Sequence, residues 1–163
     1  MNLSQPALTQ GLNKLEGSFG TALFLRTANG MSPTDAGHIL ARRATKARAL
    51  IESPRVTAPQ IRAFLALSRH GSYGSAAAAT QVKPSSLHRA VRDLEYALST
   101  NLTERRGRGV ALTNTGKDTA RRFRLAQREL DAAEAEIAGM LGHETGRISI
   151  GAMPLSRARV LPR

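Results

Sequence analysis

Slid along itself by 79 positions, the sequence meets its own copy without a gap. Leu8 falls on Leu87, Leu15 on Leu94, Glu16 on Glu95, Leu23 on Leu102, Arg26 on Arg105, Gly30 on Gly109, Thr34 on Thr113 and Gly37 on Gly116, and Ala41-Arg42-Arg43 falls on Ala120-Arg121-Arg122. An ungapped register of this length marks a duplicated module. Whatever one copy folds into, the other is bound to follow, within a chain of 163 residues.

Each copy carries an amphipathic helix. Leu8, Leu12, Leu15 and Phe19 in the first, and Leu87, Val91, Leu94 and Leu98 in the second, recur at i, i+4, i+7 and i+11, the spacing of one helical face. Ser4 is a suitable N-cap for the first helix, and Pro84 suits the first turn of the second. The opposite faces hold Pro6, Thr9, Gln10 and Asn13, or Ser85, His88, Arg89 and Arg92. Such side chains can hydrogen-bond base edges or phosphates, although a lone helix of this kind is more often only solvated there.

What surrounds the second helix sharpens the reading. Thr57 can cap a helix from about Ala58 to Arg69, ended by His70-Gly71. Ser72 can cap a short alanine-rich helix over about Tyr73 to Thr80, whose small side chains admit a crossing helix. Gln81-Val82-Lys83 is then the turn of a helix-turn-helix. Downstream, "LTERRGRGVALT" alternates around Gly107 and Gly109, and the first copy has Asn29-Gly30, a two-residue hairpin signal. A small β-hairpin wing after each helix follows, bearing Arg26 in one copy and Arg105, Arg106 and Arg108 in the other.

The charge agrees. Lys and Arg total 24 against 12 Asp and Glu, a net +12, with only four lysines among the cations. An excess of this size points to a polyanion, most simply nucleic acid, with an anionic membrane surface as the competing partner. Arginine can clamp phosphate or guanine through two bonds, although genomic base composition also enriches it. No apolar run approaches a membrane span, no secretory signal is read at the N-terminus, and the absence of cysteine leaves no disulfide or thiolate site. A cytoplasmic location is the expectation.

With these residues in hand, "SQPALTQGLNKLEGSFGTALFLRTANGMSPTDAG" resembles the recognition helix, wing and following helix start of LysR-type transcriptional regulators. "FLALSRHGSYGSAAAATQVKPSSLHRAVRDLE" with "RRGRGVALTNTGK" resembles their whole DNA-binding module. The second copy departs from that pattern in starting Lys83-Pro84-Ser85, and in having Ser99 and Thr103 where the first has Gly20 and Phe24. The expected fold is mainly α, a winged helix-turn-helix with small β-hairpin wings and a long linker helix. The DNA-contacting residues are expected to be Ser85, Ser86, His88, Arg89, Arg92, Arg105, Arg106 and Arg108 in the second copy, and Ser4, Gln5, Pro6, Thr9, Gln10, Asn13 and Arg26 in the first.

Asn114 to about Leu141 reads as one helix with Phe123, Leu130 and Ile137 seven residues apart and Ala126, Ala133 and Met140 at companion positions, a heptad seam. The resemblance implies dimerisation through it, and hence a homodimer. A shorter linker helix runs from Thr34 or Asp35 to about Glu52; the pattern leaves open whether the two linkers pair within one chain or between chains. The resulting division is 1–34 partial winged module, 35–55 first linker helix, 56–113 complete module, 114–142 linker and dimerisation helix, and 147–163 the opening of an effector-binding domain, including a strand over Arg147 to Met153.

The first copy has no counterpart of the second's two leading helices, so its apolar stripe, at ~1.5–3 kcal/mol per covered side chain, is expected to leave it weak unless it borrows cover. We expect a fragment cut at both ends, with a small-molecule effector only in a full-length form. The main alternative is a module that does not bind DNA and pairs with full-length regulators. Catalysis is the weakest reading. His38, His70, His88 and His143 are scattered without metal-ligand spacing, no nucleophile–base pattern or phosphate loop occurs, and no catalytic residue, metal or cofactor is expected.

Overall fold

The computed structural model describes residues 4–27, 30–107 and 109–142. In chain order its elements are α1 (Gln5–Phe19), β1 (Phe24–Thr27), β2 (Gly30–Pro33), α2 (Asp35–Ile51), α3 (Ala58–His70), α4 (Tyr73–Thr80), α5 (Pro84–Leu98), β3 (Thr103–Arg106), β4 (Gly109–Leu112) and α6 (Asn114–Met140). β1 pairs antiparallel with β2, and β3 with β4. The architecture is the expected mainly α winged helix-turn-helix with two small hairpins and a long helix.

Residues 58–112 form the fuller module. The Thr57 N–H donates to Gln60 Oε1 at 2.8 Å, fixing the start of α3. Gly71, at φ 67, ends it by donating its N–H to the Leu67 carbonyl. Ser72 Oγ accepts from the Ser75 N–H at 3.1 Å and opens α4. Phe64 and Leu67 of α3, Ala76 of α4, Leu87, Val91 and Leu94 of α5, Leu102 and Phe123 of α6 make one buried cluster. Phe64 and Phe123 meet edge to face at 6.2 Å.

The joint between helix and wing is built on the same backbone bonds in both copies, the Thr103 hydroxyl adding a bond to Glu95 that Phe24 cannot make to Glu16. Glu95 Oε1 accepts from the N–H groups of Leu102 (2.8 Å) and Thr103 (2.9 Å), and Glu16 Oε1 from those of Leu23 (2.8 Å) and Phe24 (3.2 Å). Thr113 Oγ1 donates to the Asn101 carbonyl and accepts from the Gly116 N–H; Thr34 Oγ1 does the same with Ala22 and Gly37. Gly116 and Gly37 lie so close to the Leu102 and Leu23 carbonyls that a Cβ at either would run into that oxygen. The repeated glutamate, threonine and glycine are thus one device used twice.

The first copy differs in cover. α1 has no buried residue: Leu8 is 54% exposed against 4% for Leu87, and Leu15 40% against 0% for Leu94. Nothing among the described residues takes the place that α3 and α4 hold over α5. Its small core is Leu23, Ala36 and Ile137, with Phe19, Ile39 and Leu40 against it, so the cover it does borrow comes from the far end of α6. Ser4 occupies the N-cap position of α1 but makes no capping bond with its side chain. Gly30 pairs with Thr27 as the first residue of β2, so it stands in the strand and not in the turn that the Asn29-Gly30 signal assigns it to.

α2 lies along α6 in the same chain. Arg43 reaches Glu129 and Glu136, Arg42 reaches Glu136, and Arg122 reaches Glu52, so the helices run antiparallel. The six seam residues separate accordingly. Ala126, Ala133 and Ile137 are buried within the chain, and Phe123 belongs to the fuller module's core, because it stands over Phe64. Leu130 and Met140 stay 43% and 47% exposed. The expected strand over Arg147 to Met153, the effector-domain start and His143 lie outside the described residues.

Candidate nucleic-acid interface

α5 divides its residues by chemistry. Leu87, Val91 and Leu94 turn into the core, while Ser85, Ser86, His88, Arg89 and Arg92 are all exposed. Pro84 stands in its first turn, and the Leu87 N–H donates to the Lys83 carbonyl at 3.1 Å. Arg89 keeps 86% of its side chain in solvent, its Nε 3.9 Å from Asp93 one turn on. That contact is long and exposed, of the sort worth little in water, so the guanidinium is available to another anion.

His88 stacks at a tilt on Tyr73, the ring centres 5.0 Å apart. Both line a groove of about 550 Å³ with Arg92, Glu95, Tyr96 and Thr103. Burial, reinforced by the charge of Glu95, holds the Tyr73 phenol above its ordinary range, so it stays a neutral donor at this rim. The first copy has a groove of about 490 Å³ in the same place, lined among others by Thr9, Asn13, Glu16, Phe24 and Arg26. Thr9, Asn13, Glu16 and Phe24 are the repeat counterparts of His88, Arg92, Glu95 and Thr103.

The wing stands beside α5. Arg105 and Arg106 are exposed on β3, opposite Val110 and Gly109, and the Val110 N–H donates to the Gly71 carbonyl at 3.3 Å, tying the wing to the end of α3. Arg108 lies outside the described residues. In the first copy Ser4, Gln5, Pro6, Thr9, Gln10 and Asn13 are exposed on α1, and Arg26 is exposed on β1. Sequence reasoning missed Tyr73, Tyr96 and the two wing-holding glutamates. Only the glutamates carried a usable signal, being the same acid at the same place in both copies of a basic chain.

A hydroxyl- and arginine-rich helix face backed by a basic hairpin defines a winged helix-turn-helix protein. The sequence matches the family described as bacterial regulatory helix-turn-helix protein, lysR family, over residues 1–38 and 59–117, more than half of the chain, and the chain belongs to that family. It is similar to the HTH-type transcriptional regulator GalR of Pseudomonas putida, 28% identical over 98% of this chain and 43% of that protein. It is also similar to the probable hydrogen peroxide-inducible genes activator of Mycobacterium xenopi, 34% identical over 68% of this chain and 59% of that one. Among solved structures it is similar to oxidized Corynebacterium glutamicum OxyR, with 32% identity, 56% of this chain and 28% of that chain covered, and a TM-score of 0.42. The chain therefore spans less than two thirds of the length of these relatives. No helix among the described residues is long and apolar enough to cross a membrane.

Proposed function

We propose that this chain is a sequence-specific DNA-binding transcriptional regulator of the LysR type. The observation that carries the reading is α5: its apolar stripe is buried while Ser85, Ser86, His88, Arg89 and Arg92 face solvent together, next to a wing bearing Arg105 and Arg106. In a helix-turn-helix the exposed first turns of the second helix enter the major groove, and a basic hairpin lies along the backbone. Arg89 and Arg92 are the base-reading candidates, His88, Ser85 and Ser86 their polar neighbours, and Arg105, Arg106 and Arg108 the phosphate contacts. Residues 56–113 carry most of the affinity. Ser4, Gln5, Pro6, Thr9, Gln10, Asn13 and Arg26 of the first copy offer a second, less charged reading face.

The division into a partial module at 1–34, a complete one at 56–113 and linker helices at 35–55 and 114–142 accounts for both faces. Residues 147–163 belong to an effector-binding domain in this reading, and a cytoplasmic setting follows from a duplex partner. Leu130 and Met140, left exposed on α6, are the seam residues that α2 of the same chain does not cover.

The test is fluorescence anisotropy of the full chain against a random duplex library, at low and moderate salt. Enrichment of one sequence class, with affinity falling steeply as salt rises, is expected. No binding to any duplex at low salt overturns the reading and leaves a module that only pairs helices.

A further inference from the structure

We infer that this chain is its own dimer: α2 and α6 close inside one polypeptide the interface that two subunits would share, so that a single chain reads one duplex at two unlike half-sites, one through α1 and the other through α5. The inference rests on the DNA-binding reading above and extends it to stoichiometry and operator shape.

In a two-fold interface, whatever residue i of one subunit does to residue j of the other, residue i of the other does in return. The repeat lets that signature be sought within one chain. Arg43 and Arg122 hold the same place in the two copies. Arg43 crosses from α2 to Glu129 and Glu136 on α6, and Arg122 crosses from α6 to Glu52 at the end of α2. Midway between these crossings along both helices stand Ala47 and Ala126, again repeat equivalents, and each is 3% exposed. Antiparallel helices meeting around equivalent small residues, with equivalent arginines reaching acids on either side, are related by an approximate pseudo-two-fold; the acids themselves are not repeat equivalents, Glu52 matching Asp131 while Glu129 and Glu136 match Leu50 and Thr57.

The consequence for the modules is geometric. α2 begins at the first wing and α6 at the second, so antiparallel pairing sets the modules at opposite ends of the helix pair. Ile137 of α6 packs into the core of the first module, and Ile51 of α2 packs against that of the second. A 27-residue α6 spans on the order of 40 Å, commensurate with the roughly 34–36 Å between half-sites one helical turn apart. The two reading faces are not equal, however. Where α5 presents His88, Arg89 and Arg92, α1 presents Thr9, Gln10 and Asn13. An operator matched to this chain is therefore asymmetric, and the α5 half supplies the steeper salt dependence.

The experiment uses the full chain. Its mass is measured by sedimentation and native mass spectrometry, alone and on duplexes selected from the random library. One chain per duplex and a consensus of two dissimilar halves are expected. Asn13→Ala should relax only one half and Arg89→Ala only the other. Arg43→Glu, which opposes like charges across the helix pair, should weaken binding to the composite site at least tenfold while leaving binding to an isolated α5 half-site unchanged. Two chains on an inverted repeat, each contributing the same half-site contacts, overturn the inference and leave the proposed function standing. No duplex binding removes the proposed function and the half-site inference with it. The stoichiometry of the unaltered protein decides the matter even if the Arg43 variant fails to fold.

Discussion

Arg43 and Arg122 stand at the same position of the repeat, and each crosses the α2–α6 pair to a carboxylate of the other helix, Arg43 to Glu136 and Glu129 and Arg122 to Glu52. The carboxylates they reach are not repeat equivalents, so the symmetry of the helix pair is approximate and rests on the two arginines and on Ala47 and Ala126. These contacts select one antiparallel register of the pair from those that its alanine-rich faces would admit.

The Arg43 guanidinium bonds to Glu136 and holds its carboxyl below the ordinary glutamate range. A carboxylate whose folded pKa is depressed adds stability above its unfolded pKa, and that contribution is lost as pH falls through the folded value. Glu136→Gln should therefore melt below the unaltered protein at neutral pH. The gap should close as pH is lowered below about 4.3, where the unfolded carboxyl takes up its proton. Thermal melts followed by circular dichroism across acidic pH check this, and a gap that widens with acid contradicts it.

Leu8 and Leu87 are the same residue of the repeat in opposite surroundings, 54% and 4% exposed. Leu87→Ala removes a side chain held between α3, α4 and α5 and should cost about 2–5 kcal/mol. Leu8→Ala removes one already in water and should stay within about 0.5 kcal/mol. Urea unfolding of both variants decides it; equal losses would mean that α1 is covered in solution.

Ser99 ends α5 at φ 51, in the left-handed region, where the first copy has Gly20 at φ 66. A side chain held there costs roughly 1–2 kcal/mol, while glycine gives part of that back through its freedom in the unfolded chain. Ser99→Gly should raise stability by about 0.5–1 kcal/mol, read as a higher urea midpoint with unchanged slope. The backbone N–H bonds of Ser99 to Glu95 and Tyr96 are available to glycine as well, so no contact is lost to offset the gain.

The features legible in the sequence were those whose causes are local. The caps at Thr57 and Ser72, the glycine stop at Gly71, the period of α5 and the two wings each follow from a few neighbouring residues, and the repeat let each be read twice. The heptad at Phe123, Leu130 and Ile137 was legible as a helix face, but not as to what covers it. Phe123 goes to Phe64, Ile137 to the first wing's foot, and Leu130 is left exposed. That choice depends on where α2 lies, a long-range matter on which heptad spacing is silent. Ser4 shows the reverse error: its position was legible, but a serine there can leave its hydroxyl unused when Pro6 already sets the first turn.

Arg89 and Arg105 differ in what they can reach. Arg89 leaves the outer face of α5 one turn from its start, where a groove-entering helix meets base edges, whereas Arg105 lies on a hairpin strand, where a duplex offers phosphates. Arg89→Ala should therefore cost about 1–3 kcal/mol on the preferred site and much less on unrelated sequences, flattening the preference at one base position. Arg105→Ala should weaken every duplex alike and reduce the slope of log affinity against log salt by about 0.9. Anisotropy titrations of both variants against specific and scrambled duplexes at several salt concentrations separate the two roles. If Arg89→Ala lowers both affinities equally, the helix carries a phosphate contact at that position, and base reading passes to Arg92, the next exposed arginine along the same face.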